Sequence, residues 1–200
     1  MVPSIPPNKD DFAALLQRVA ACDQCAVHLP LGPRPVVRAA RSARLMSIGQ
    51  APGTKVHQTG IPWNDASCNR LRDWLDLSAE IFYDETLVAI VPMGFCYPSV
   101  NPQGGGDNPP RPECAPLWHP PLIEGLKNIE LTLLVGQYAQ RWYLGKDRQK
   151  TMTETVRAYR DYLPTPHPMH WQKKNPWFEA KIIPELRRRV HLLLDKGYAA

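Results

Sequence analysis

Four of the five cysteines in this 200-residue chain are spaced as metal ligands are. Cys22 and Cys25 have two residues between them, which lets both thiolates face one metal centre. Cys96 and Cys114 follow, with a proline-rich loop between them that can fold back. Four thiolates complete either a [4Fe–4S] cluster or an all-cysteine zinc site. The alternative is a set of unligated buried thiols, because free cysteine packs as a small hydrophobe. Cys68 has no partner at a useful spacing. Five cysteines without secretory features argue for metal or catalysis over a disulfide framework.

Other side chains capable of chemistry sit in loops that follow apolar runs. Gln50 to Asp65 holds Gln50, His57, Trp63, Asn64 and Asp65. Pro166 to Lys174 holds His167, Met169, His170, Trp171 and the pair Lys173-Lys174. Loop positions carry function more often than core positions do, which favours a functional His167 over a merely satisfied one. His57 could contact a phosphate or lie on the surface. Asp65 could equally cap the helix that follows it, since Asp is a strong N-cap. Trp63, Trp171 and Trp177 each have core packing as the alternative to stacking on a ligand. Lysines interleaved with flat rings suit nucleic acid.

The elements that must position these loops are readable from periodicity. Phe12, Leu15, Leu16 and Val19 mark a first helix. Arg44–Gly49, Leu87–Pro92 and Leu131–Gly136 are short apolar runs, expected as buried strands, and Tyr162–Thr165 as a fourth strand. Helices are expected around Leu71–Leu75 with Ser67 as N-cap, from Cys114 to Leu126 with a kink or restart at Pro120-Pro121, at Gln137–Leu144, at Thr153–Tyr159, and through Ile182–Leu194. Gln50–Asn64 reads as irregular and Met93–Arg111 as structureless. Strands alternating with helices imply a three-layer α/β/α fold around a mostly parallel four-stranded sheet, whose ligand site lies beyond the carboxyl ends of the strands.

The bulk properties are compatible with one domain spanning residues 1–200, with 1–10 expected to be flexible. A 44% hydrophobic content supports a core, and no apolar run is long enough for a bilayer. The first residues carry no apolar signal core, so a soluble cytoplasmic monomer is expected. Net charge is +5, which permits a polyanionic partner. Arg187-Arg188-Arg189 reads as a solvated helix face.

Three segments together resemble the uracil-DNA glycosylase superfamily, especially its iron–sulfur-containing branch (family 4). Gly49-Gln50-Ala51-Pro52-Gly53 resembles that branch's Gly-Glu-Ala-Pro-Gly loop. Thr165-Pro166-His167-Pro168 is similar to its C-terminal His-Pro-Ser motif, and the cysteine spacing is close to its cluster pattern. Gly60-Ile61-Pro62-Trp63 and Gly136-Gln137-Tyr138-Ala139 are weaker echoes. The resemblance runs from about Cys22 to Val190. It implies a monofunctional glycosylase that hydrolyses the bond between sugar and uracil, or another deaminated base, in DNA.

Roles follow by resemblance for the matching positions. Trp63 stacks on the flipped base, while Gln50, Ala51, Pro52 and Gly53 offer backbone groups to its edge. His167 donates to the base oxygen as charge develops there. Met169 and His170 lie where relatives insert a wedge into DNA, Lys173 contacts DNA, and Cys22, Cys25, Cys96 and Cys114 hold a [4Fe–4S] cluster, with structural zinc as the alternative. The chain departs from the pattern in four places. Ala51 stands where the archetypal family has a water-activating aspartate, Pro92 where the branch has a base-reading asparagine, and Met169 where it has serine. The loop from His167 to Trp171 is also short. Asp65, near an aspartate of another branch (family 5), is a candidate to polarise the attacking water, with Asn64 or Asn101 reading the base. Alternatives are a hypoxanthine, xanthine or mismatch glycosylase, a catalytically weak DNA-damage-binding protein, and an unrelated zinc-binding structural protein.

Overall fold

The computed structural model describes residues 12–64, 66–162, 167–169 and 176–198. In chain order the elements are α1 (Phe12–Ala20), β1 (Leu45–Ile48), α2 (Thr54–Thr59), α3 (Ala66–Leu75), α4 (Ala79–Tyr83) and β2 (Val88–Ile90). They continue with α5 (Cys114–Gly125), β3 (Leu131–Val135), α6 (Gln137–Leu144), α7 (Met152–Arg157), β4 (His167–Met169), α8 (Pro176–Lys181) and α9 (Ile183–Tyr198). The strands form one parallel sheet in the order β2-β1-β3-β4.

Every residue of β1, β2 and β3 is buried, because helices cover both faces of the sheet. Alternation along the strands sorts the side chains into two layers. Leu45, Val88, Ile90, Leu131, Leu133 and Val135 face a core completed by α3, α8 and α9. Met46, Ile48, Ala89, Val91 and Leu134 face a second core completed by α1, α5 and α6. Side chains such as Leu45, Leu133 and Leu134, at 0% exposure, each stabilise the fold by about 1.5–3 kcal/mol relative to leaving them in water. This is the expected three-layer α/β/α architecture.

Several local expectations change. Gln50–Asn64 contains a helix, α2, whose C-terminus is closed by Gly60 in the left-handed region (φ 71°). α4 is a five-residue helix started by Ser78, whose hydroxyl accepts from Ile81 N. α3 begins at Ala66, one residue before the expected cap at Ser67. α5 runs unbroken through Pro120 and Pro121.

The loop from Met93 to Arg111 is organised. Val100 and Asp107 pair antiparallel, Asn108 N donates to Ser99 O at 2.8 Å, and the Asn108 side chain reaches the carbonyls of Pro98 and Val100. β4 is His167–Met169, so His167 lies in the strand itself. Tyr159–Tyr162 is instead a 3-10 turn, and 163–166 lie outside the described residues. Pro168 is tolerated because β4 is an edge strand. Met169 O accepts from Gly136 N, so the intervening Pro168 presents its missing N–H to the open side.

Candidate functional site

β1 ends at Ile48, and the loop after it is fixed by backbone bonds to the segment after β2. Met93 N donates to Gly49 O at 2.9 Å and Gly94 N to Gln50 O at 3.0 Å. Gly49 is required by what lies on it: a Cβ there would stand 2.8 Å from Cζ2 of Trp63. Trp63 itself has φ 58°, a left-handed conformation that a bulky residue adopts only when its surroundings impose it. Those surroundings are visible. Gly60 turns the chain at the end of α2, and the Arg34 guanidinium donates to the last carbonyls of that helix, His57 O and Gln58 O.

The indole of Trp63, with Gly49, Gln50, Ala51, Pro62, Ile90 and Pro92, lines an open cavity at the tips of β1 and β2. Its walls are mostly apolar, with backbone amides as the main polar groups. Such a slot fits a flat, largely apolar ligand face.

The Gln50–Gly53 loop also borders a wider, more polar cleft of about 1480 Å³. Its other walls are the Asn101–Pro109 loop and the start of α6 from Gly136 to Tyr138. Gln50, Ala51 and Gly53 line both spaces.

The side chains of several sequence candidates are engaged within the protein. Gln50 Nε2 donates to Asn108 O at 3.1 Å, and Asn64 Nδ2 to Thr59 Oγ1 at 3.3 Å. Pro52 is buried in the slot wall and Gly53 is the N-cap of α2. His57 lines neither space. Its ring lies 5.9 Å from that of Tyr97, and its Nδ1 is buried without a hydrogen-bond partner. Met169, expected in a wedge, is at 0% exposure in the core beside Val135. Trp177 packs against the core under the Arg157 guanidinium. Asp65, His170, Trp171, Lys173 and Lys174 lie outside the described residues.

His167 is likewise sealed in, at 0% exposure, and is not among the residues lining either space. Its register partner is Leu133 and its ring lies 5.0 Å from that of Tyr159. Burial, reinforced by the nearby Arg189 charge, pushes its pKa down to about 4, so the imidazole is neutral at physiological pH. Its Nε2 is buried without a hydrogen-bond partner. The structure therefore joins Trp63 to the Gln50–Gly53 loop and leaves His167 beneath the sheet surface.

The cysteines come together. Cys22 and Cys25 in the turns after α1, Cys96 after β2, and Cys114 at the start of α5 line one small cavity with Phe95 and Trp118. All four are free thiols. Two of the sulfurs accept from an N–H: Trp118 Nε1 donates to Cys22 at 3.3 Å and Phe95 N to Cys114 at 3.3 Å. Cys25 Sγ lies 4.0 Å from Glu113 Oε2. Burial, aided by the neighbouring cysteines, pushes the Cys96 thiol up to about 11 and that of Cys114 to about 12. Four thiols on one cavity, two of them facing an N–H, fit a thiolate set gathered round a cationic centre. Among the described residues, no group of three or more His, Cys, Asp or Glu side chains is arranged to hold one metal ion.

Two features escaped the sequence reading. His119, buried on α5, places Nε2 3.0 Å from Pro92 O and Nδ1 2.7 Å from Tyr143 OH, while its ring stacks on Phe95. It ties the slot wall to the helix that carries Cys114. Asp107 is the second: it lines the wide cleft from a loop read as structureless. An Asp-Asn pair after three glycines, suited to a tight turn, was its only local signal.

No helix among the described residues is long and apolar enough to cross a membrane. A family model described as the uracil DNA glycosylase superfamily matches residues 37–187.

Proposed function

The chain belongs to the uracil-DNA glycosylase superfamily, and from that premise we propose that it hydrolyses the glycosidic bond of uracil or a similarly deaminated base in DNA, leaving an abasic site. The observation that carries this reading is the Trp63 indole laid on Gly49 beside the Gln50–Gly53 loop. A base extruded from DNA needs a flat surface to replace lost stacking and fixed polar groups for its edge. Trp63 supplies the first. The backbone of Gln50 to Gly53 supplies the second, since the Gln50 side chain is already committed to Asn108.

Bond cleavage leaves negative charge on the base and positive charge on the sugar. His167, neutral and with an uncommitted Nε2, is the donor to the base oxygen. Reaching the base requires movement of the β4 edge when DNA binds. Asn108 O, Pro92 O and the apolar walls offer no side-chain amide to read a pyrimidine edge. Pro92 in that wall therefore favours a second reading, a broader range that includes hypoxanthine or xanthine.

Cys22, Cys25, Cys96 and Cys114 hold a [4Fe–4S] cluster, a reading supported by four cysteines lining one cavity, two of them facing an N–H. A single structural zinc ion is the alternative. When bound, the cluster pins the turn after α1 and the start of α5 to the segment following β2.

The test is a panel of single- and double-stranded oligonucleotides carrying uracil, hypoxanthine or xanthine, incubated with the purified protein and then cleaved by alkali at abasic sites. Uracil release is the expected result, from a brown protein containing iron and sulfide. Duplex binding with no product from any base would replace the enzyme reading with that of a damage-binding protein.

A further inference from the structure

We propose that Asp107 is the catalytic carboxylate that orients and deprotonates the attacking water, an inference that rests on the glycosylase reading above. The loop that carries it is held against the Gln50–Gly53 loop. Gln50 Nε2 donates to the carbonyl of Asn108, the very next residue, and Asn108 in turn clamps Pro98 O and Val100 O. The Val100–Asp107 bridge and the Asn101 N to Gly106 O bond at 2.9 Å close the far end. Asp107 thereby stands in the wide cleft opposite Ala51 and Gly53, the part of the loop that also faces the base slot.

Among the described residues lining either space, Asp107 is the only carboxylate. A cleft that admits a polyanion disfavours an acidic side chain, because each phosphate repels it. Its presence there calls for a chemical reason. Ala51 offers only a methyl group on the near wall, so among the described residues a base for water comes from the opposite wall. An exposed carboxylate on a glycine-rich loop can supply it.

The step balances without any further reagent. A water lone pair forms the bond to C1′ of the sugar as the C1′–N bond breaks, and that bonding pair leaves with the base. The water proton passes to the Asp107 carboxylate, and the departing base anion later takes a proton from solvent.

The experiment is single-turnover excision from a uracil-containing single strand by wild type, D107N, D107E and D65N. Affinity for the same strand bearing a non-cleavable uracil analogue is measured in parallel. D107N is expected to be slower by about 10²–10⁴-fold, with affinity unchanged or slightly tighter. D107E should recover part of the rate, and the acid-side fall in the wild-type pH profile should be absent in D107N. A D107N rate within about threefold of wild type, or a loss matched by lost affinity, overturns the role of Asp107 and leaves the glycosylase reading standing. A large defect confined to D65N does the same. Wild type that releases no base overturns both.

Discussion

Around the cysteine cavity the polar hydrogens point inward, whereas along the base slot they point into the wall. Trp118 and Phe95 each direct an N–H at a sulfur. On the other side, Gln50 is spent on Asn108, and beside the slot Asn64 is spent on Thr59 and His119 on Pro92 O. The contrast fits what each space is proposed to hold. Sulfurs that become anionic on binding a metal need donors fixed in advance, since an uncompensated buried charge is severely destabilising. A visiting neutral base needs a flat face and a few backbone groups, and its polar contacts can be completed on binding.

The largest effect that would test this contrast is removal of one sulfur. Cys114→Ser should lose iron and sulfide on purification and melt lower by on the order of 10 °C, checked by metal analysis and calorimetry. A variant that keeps full iron content and the wild-type melting temperature would show that Cys114 is no ligand.

His167 gives the next effect. Its folded pKa lies below the ordinary histidine value of 6.5, at about 4, so the unfolded chain takes the proton first as pH falls. The neutral histidine therefore leaves stability undiminished above about pH 6.5. It erodes stability as pH falls toward 4, by roughly 3 kcal/mol in all. Denaturant titrations at pH 7 and pH 4.5 should show a smaller acid loss in His167→Leu than in wild type. An equal loss would mean that the imidazole is not sealed.

The smallest effect concerns the slot. Trp63→Ala should weaken kcat/KM for uracil-containing DNA by about 10–100-fold, the worth of one stacking face, with stability little changed. Steady-state kinetics with wild-type values would remove Trp63 from the base contact.

The sheet was legible because β1, β2 and β3 are short, mostly apolar runs, a pattern that parallel strands buried on both faces impose. The smaller pieces were not. Thr54–Thr59 has one buried residue, Val56, and owes its ending to Arg34, some twenty residues earlier, so no local periodicity announces a helix. Tyr162–Thr165 has the aromatic and β-branched look of a strand, yet the pairing with β3 is made by His167–Met169, a Pro-containing triplet that only a sheet edge accepts. The thiols were readable from C-x2-C spacing. Their donors were not, because Phe95 offers a backbone N–H and Trp118 is 96 residues from Cys22. Asp107 was hidden for the same reason: the order of its loop comes from Asn108 and Gln50, partners that no short window of sequence contains.

Arg34 touches both halves of the molecule. Its main chain meets the sulfur of Cys96, and its side chain closes the helix that leads into Trp63. Disturbance at the thiols has a route one residue long to the aromatic plate. On the proposed reading, the protein would then lose its grip on an everted nucleotide before it lost its shape, a mechanical fuse set within a single arginine.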